Sequence, residues 1–595
     1  MQSTRTFVSS LLRRPYTQPL TAAKQSFTAR PTRPFSATTR AMATEYKLKG
    51  ITSLDGLKNG QTQEVEVEGV EEGKVLLAKV KDEVHALSPK CTHYGAPLSK
   101  GVLTPDGRLT CPWHGACFDV KTGDIEDAPA PNPLQKFKIV QKDGEVYIKG
   151  SREQILANKR TLNIKCQAKG NDHVVIIGRG SGAFGAIDGL RAGGYTGHIT
   201  SIAEEDYPPI DRTKLSKALI TDVSSIQWRT PETYKEADVT FVQGLAESVD
   251  FSGQKVKTKN GKEFSYTKLI LASGGTPRHL PLDGLKDDLK NVFLLRTPQH
   301  TQEIMKAAGE DGAKKVVVIG SSFIGMEVGN ALAGKKHNVS IIGMESEPME
   351  RVMGTQVGSI FRKILEQNGV KFYMGASVEK GEPSSRDPSS IGSVVLKDGT
   401  KLEADFVIEG VGVRPSTDYL QNNSSINLEK DGSVSVDDSF AVKGLKDVWA
   451  IGDIATYPYN GPGGNGKPVR IEHWNVAQNM GRSVALSINS PGSKPKAFIP
   501  VFWSALGAQL RYCGHTPNGF DDVTIHGNTD VSEGKQSFVA YYNKGEDIVA
   551  VASMMRDPYM TQSAELMRRG KMPTKSEIAK GVDIMEISVP AEVKI

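Results

Sequence analysis

Cysteine is scarce in this chain: five in 595 residues, with no CxxC or CxxxxC pair among them. Cys91, Cys111, Cys117, Cys166 and Cys513 are too few and too scattered for a secreted disulfide framework, and dithiol chemistry is excluded with it. Long apolar runs are missing too. No stretch approaches the eighteen or more residues that read as a membrane-spanning helix. None of the eleven histidines stands in an HxxxxH pair, which removes the two-His iron site expected of an oxygen-activating enzyme.

Acidic residues are absent from the first 44 positions, which hold six Arg and one Lys. The formal charge of +6 therefore belongs to the leader, because the remainder carries 67 basic against 68 acidic residues. An Arg-rich, Ser-rich, acid-free segment reads as a mitochondrial transit peptide over 1–44, with a shorter cytosolic form starting at Met42 as the variant. A near-neutral remainder lacks the basic footprint that nucleic acid requires. At this length, with 38% hydrophobic and 24% charged residues, three or four globular domains are expected.

Two short runs carry metal-ligand chemistry. Cys91-Thr92-His93 and Cys111-Pro112-Trp113-His114 supply two thiolates and two imidazoles. In a Rieske [2Fe–2S] centre one iron takes two Cys and the other two His; a tetrahedral Cys2His2 zinc site uses the same four side chains. Both runs fall in loops of a region, 45–150, that reads as short strands closed by a hairpin at Asp143-Gly144. Residues 151–170 are polar and read as a linker.

The period then changes. His173–Ile177 is a continuous apolar run leading into Gly178-Arg179-Gly180-Ser181-Gly182-Ala183, and Glu204 follows Ala183 by 21 residues. A strand, a glycine-rich turn, a helix and a later carboxylate form a dinucleotide fingerprint, with the pyrophosphate at the helix N-terminus and the carboxylate on the ribose. It recurs as Lys315–Ile319, then Gly320-Ser321-Ser322-Phe323-Ile324-Gly325, with Glu345 twenty residues on. Ser322 replaces the middle glycine and Gly343 ends the strand where many relatives place an acid, which leaves NADH against NADPH open.

The flanks of the Cys/His runs, Gly95-Ala96-Pro97-Leu98 and Gly115-Ala116-Cys117-Phe118, resemble the cluster loops of Rieske ferredoxins. Ala116 and Phe118 stand where high-potential relatives place hydroxyls against the sulfurs, so the resemblance implies a potential toward the low end of the Rieske range. From 171 to about 510 the chain resembles the two-dinucleotide flavoprotein reductases of the apoptosis-inducing-factor and ferredoxin-reductase branch. The resemblance assigns FAD contacts to Glu204, Arg212 and Lys217 of Asp211–Lys217, Arg278, Arg296, Asp453, and Glu472-His473-Trp474. It pairs Lys217 with Glu327 beside the flavin as catalytic residues, and places Gly412 and Trp503 around the nicotinamide.

Taken over the whole chain, the resemblance is to Rieske-containing apoptosis-inducing-factor-like proteins. It implies α/β architecture plus a small all-β domain: a Rieske antiparallel sandwich (45–150), FAD-binding parts at 171–310 and 431–490, an NAD(P)-binding domain at 311–430, and an α+β C-terminal domain at 491–595. The two nucleotide domains are Rossmann-like, in the glutathione-reductase arrangement. The activity implied is an FAD-dependent NAD(P)H oxidoreductase that passes electrons through FAD to its own cluster and on to an unidentified one-electron acceptor. A homodimer is compatible with that C-terminal domain. Two rivals remain: a redox-signalling scaffold with slow turnover, and a reductase serving an oxygenase partner.

Overall fold

The structure, a computed structural model, describes residues 44–593 except 287, 495 and 592, so the expected transit peptide lies almost wholly outside the described residues. Alternating polar and apolar side chains shape the first region. An antiparallel sheet runs in the order Thr44–Lys47, Glu145–Gly150, Lys136–Lys142, Glu83–Leu87, Lys74–Val80, Thr62–Glu66. Asp143 and Gly144, with φ of 54° and 73°, make the two-residue turn of its closing hairpin. A second sheet of four short strands, from Val102–Leu103 to Ile125–Asp127, includes the hairpin Arg108–Thr110/Cys117–Asp119, whose connecting loop is the second Cys/His run.

The segment 151–170, expected as a linker, opens with a helix. Ser151 and Gln154 form a capping box for Arg152–Ala157, which buries Ile155.

Two parallel sheets follow, each fully buried along the apolar runs that mark them. The first runs Val239–Gln243, His198–Ala203, His173–Ile177, Lys268–Leu271, Val448–Ala450. The second runs Val292–Phe293, Phe406–Glu409, Lys315–Ile319, Asn338–Ile342, Lys371–Tyr373. Because Val448–Ala450 returns to the first sheet, the chain leaves one nucleotide fold, builds another and comes back. Helices Ser181–Ala192 and Trp474–Asn489 then pack backbone to backbone: a Cβ on Gly185 would meet the Gln478 carbonyl oxygen at 2.3 Å, and one on Gly481 the Gly182 oxygen at 2.2 Å. The C-terminal part is a five-stranded antiparallel sheet, Val501–Ala505 to Asp522–Asn528 at its edges, with helix Tyr559–Arg568 against it.

Candidate active site

The two Cys/His loops share one backbone design. Cys91 N–H donates to Ala96 O at 2.8 Å and Cys111 N–H to Ala116 O at 2.7 Å, while Gly95 and Gly115 turn each loop at φ of 78° and 72°. This brings the donors together in pairs. The buried Cys91 and Cys111 thiols lie close enough to perturb each other's ionisation, and His93 Nδ1 lies 3.0 Å from His114 Nδ1. Among the described residues no three His, Cys, Asp or Glu converge as on one ion. Sulfur beside sulfur and imidazole beside imidazole is the partition a two-iron cluster takes, whereas one zinc would draw all four donors to a point. Burial and nearby Lys214 push His93 down to about 3, and burial with nearby His93 holds His114 well below its usual value. Both rings are therefore neutral, as ligands must be. Interaction with Cys111 and burial push the Cys91 thiol up, while the neighbouring Cys91 and backbone amides draw the Cys111 thiol down against its own burial.

At the carboxyl ends of the two parallel sheets lies one groove of about 1250 Å³. Gly178 adopts φ of +121° and a Cβ there would strike the Ala272 oxygen at 2.1 Å, which fixes the first turn to glycine. Gly180, at the N-terminus of the Ser181–Ala192 helix, faces open space with nothing within 4 Å of a Cβ. That space at a helix N-terminus is a cradle for a pyrophosphate, and the residues present fit FAD. Gly180→Ala is expected to leave the fold intact, since its φ is ordinary, yet to lower FAD affinity about tenfold. Flavin titration of the apoprotein beside its urea midpoint checks this. In the second fingerprint Gly320 has φ of +111° against Gly410, Ser322 stands at the N-cap position of the helix Phe323–Gly334 without a side-chain capping bond, and a Cβ on Gly325 would meet the Gly320 oxygen at 2.0 Å.

Most expected contacts line this groove: Gly178, Gly180, Ser181, Gly182, Glu204 and Arg212 on one side, and Ser322, Phe323, Ile324 and Gly412 on the other. Arg296 and Asp453 pair across it at 2.7 Å, and Glu472, His473, Trp474 and Trp503 close its inner end. Ala183, Gly320 and Gly325 lie behind the lining as packing and turn positions. Glu345 sits beyond it, paired with Arg351 at 3.2 Å. Arg278 departs from expectation: Pro277 lines the groove as part of a short strand against Val413–Pro415, but Arg278, just past that strand's end, is exposed and does not.

Lys217 Nζ meets Glu327 Oε1 at 2.9 Å. Glu327 is 3% exposed and also accepts from the Ser216 and Ser504 hydroxyls, each at 2.5 Å. Three donors from two distant segments, the neighbours Ser216 and Lys217 and the far Ser504, thus hold one buried carboxylate, which in turn fixes the lysine in the groove.

The cluster loops face this inner end. The Trp503 ring, expected at the nicotinamide, lies 4.4 Å from the His114 ring, 5.5 Å from His93 and 5.2 Å from His473. Trp228 stacks on His93 at 5.6 Å, and Tyr94 covers another face of His93 at 3.8 Å. Backbone carbonyls of the second loop are taken by reductase side chains: Asn475 donates to His114 O at 3.3 Å, Arg511 to Pro112 O at 3.2 Å and Thr561 to Cys111 O at 3.1 Å. A buried ion network, Arg108 with Asp127 at 2.5 Å and Glu565 with Arg569 at 2.6 Å, joined by Arg108 to Glu565 at 3.4 Å with Thr110 also donating to Glu565, pins the same hairpin to the C-terminal helix. Sequence reasoning missed Tyr94, Trp228, Arg511 and this network.

Two nucleotide folds sharing a groove, with paired Cys and His loops docked at its end, define an FAD-dependent NAD(P)H oxidoreductase of ferredoxin-reductase type carrying a Rieske domain. Comparison with known families agrees: residues 172–481 match the pyridine nucleotide-disulphide oxidoreductases and residues 49–138 the Rieske [2Fe-2S] domain. The chain is 36% identical over 536 residues to apoptosis-inducing factor 3 of Homo sapiens, spanning 89% of this chain and 85% of that protein. It is 27% identical to putidaredoxin reductase CamA of Pseudomonas putida over 71% of this chain and 99% of the relative. Among solved structures, the reductase in the covalent putidaredoxin reductase–putidaredoxin complex superposes with a TM-score of 0.65 at 26% identity, covering 71% of this chain and all of that one. The chain belongs to the apoptosis-inducing-factor-like pyridine nucleotide-disulphide oxidoreductases with an N-terminal Rieske domain.

Proposed function

We propose that this protein moves electrons from NAD(P)H through FAD to its own Rieske cluster and on to a one-electron acceptor. When bound, the nicotinamide supplies a hydride, the flavin accepts the pair and releases it singly, and the cluster takes one electron at a time. The chain contributes position. Gly178 and Gly180 open the space for the FAD pyrophosphate, Gly320 and Gly325 repeat that turn for NAD(P)H, and Lys217, held by Glu327, sets a cation beside the flavin edge. Cys91 and Cys111 hold one iron, His93 and His114 the other.

One observation carries the reading: Trp503 lines the flavin groove and at the same time packs on both cluster histidines. The putidaredoxin complex pairs a reductase with a separate carrier; here the carrier domain is on the same chain. Stopped-flow mixing with NADH tests this. Flavin bleaching followed by cluster reduction within about a second supports it, given ordinary turnover numbers, and Trp503→Leu is expected to slow cluster reduction about 10²-fold relative to flavin bleaching in the same sample. Reduction over minutes with tight nucleotide binding would favour the signalling scaffold. The acid-free leader supports a mitochondrial location.

A further inference from the structure

The histidine edge that receives electrons is closed. His93 Nε2 is buried with no partner, His114 is 8% exposed, and Trp503 and Trp228 cover the rings on the reductase side. Nor is the domain free to swing out. Arg108, Asp127, Glu565 and Arg569 are each buried in the ion network, and separating them would strand charges that are costly without partners. A cluster that is filled in this pose must also be emptied in it.

Aromatic rings beside the histidines differ sharply in exposure. Trp503 is 6% exposed, and Trp113 lies edge-on to His114 at 6.3 Å. Tyr94 alone combines an open surface, 37% exposed, with a parallel stack on a ligand ring, 3.8 Å between centroids at 16°. Its hydroxyl donates to the buried Asp211 carboxylate, which fixes the ring against His93. Lys214 Nζ stands 5.4 Å from the Tyr94 ring, and exposed Lys90 sits at the foot of the same loop, where it bridges to Pro97.

We propose that Tyr94 is the outlet of the cluster, and that the acceptor is an oxidised one-electron carrier protein with an acidic docking rim that meets Lys214 and Lys90. One electron leaves the reduced cluster and enters the carrier; no bond forms or breaks and no proton moves. The tyrosine acts as a packed bridge, so its ring carries the contact to the carrier while its hydroxyl only helps to hold that ring in place. This rests on the proposed function only for how the cluster is filled, and the test is independent of that step.

The holoprotein is reduced with dithionite, desalted anaerobically and mixed with oxidised cytochrome b5, an acidic haem protein, with basic cytochrome c as the contrast. Tyr94→Leu is expected to slow haem reduction about tenfold while Tyr94→Phe restores it to within about twofold. The cluster's EPR spectrum is unchanged in both. Calorimetry gives a second readout: Lys214→Glu is expected to weaken cytochrome b5 binding about tenfold and to flatten its salt dependence. Wild-type transfer in Tyr94→Leu, slowing by Trp113→Leu instead, or a preference for cytochrome c would overturn the outlet. Failure of NADH to fill a cluster that dithionite fills, with Tyr94 dependence intact, would sink the proposed function and leave the outlet standing.

Discussion

Cys111→Ser is expected to give a folded, yellow protein without iron. Each iron draws only two ligands from the chain, so losing one thiolate leaves its iron with a single strong protein donor, and serine is a poor substitute for a soft sulfur ligand. The loop itself should persist, because its shape rests on backbone bonds: Cys111 N–H to Ala116 O, and the Cys111 carbonyl receiving Thr561. Metal analysis would therefore fall from about two irons per chain to near none, and the dithionite-reduced sample would lose its EPR signal. Flavin content and bleaching by NADH would survive, since no groove residue has changed. Delivery to a protein acceptor would drop to background. Zinc and no iron in the unmodified protein would defeat the assignment outright.

Lys217→Met separates stability from chemistry at the flavin. It removes the cation from Glu327, a carboxylate 3% exposed that keeps only the two serine hydroxyls. Stranding a buried charge costs about 3 kcal/mol, read as a lower urea midpoint at unchanged slope. Flavin reduction by NADH should slow about 10²-fold, the usual cost of losing one charge-stabilising donor. Adding Glu327→Gln to the same chain removes the stranded charge, so the double variant should regain most of the stability and none of the rate. If the rate returned with the stability, the lysine would be a strut and not part of the chemistry.

What the sequence revealed, and what it hid, follows from range. The paired Cys/His loops were legible because both runs are local, each closing its own turn within six residues. Both dinucleotide turns were legible for the same reason, including the substitution at Ser322, which stands at the N-cap position of its helix without a side-chain capping bond. Glu327 and Lys217 were found only through resemblance, as their meeting depends on helices 110 residues apart. Arg278 was carried over by resemblance, which transfers a residue type to a position but does not fix whether that position, just past the three-residue strand Gly275–Pro277, lines the groove. Trp503 was assigned to the nicotinamide by resemblance, and its packing on His93 and His114 left no mark in the sequence. The docking of the first domain, through Arg511, Asn475 and Thr561 to loop carbonyls, left no pattern at all, since a side chain reaching a distant backbone oxygen imposes no spacing on either segment.

Those three bonds to the loop carry one more consequence. A reductase and a soluble carrier must find each other by diffusion, so their exchange depends on how much of each a compartment holds. Here the meeting is built into a single molecule, and its frequency is indifferent to dilution. On the proposed electron path, expression level then scales the total current without altering how well each copy is wired.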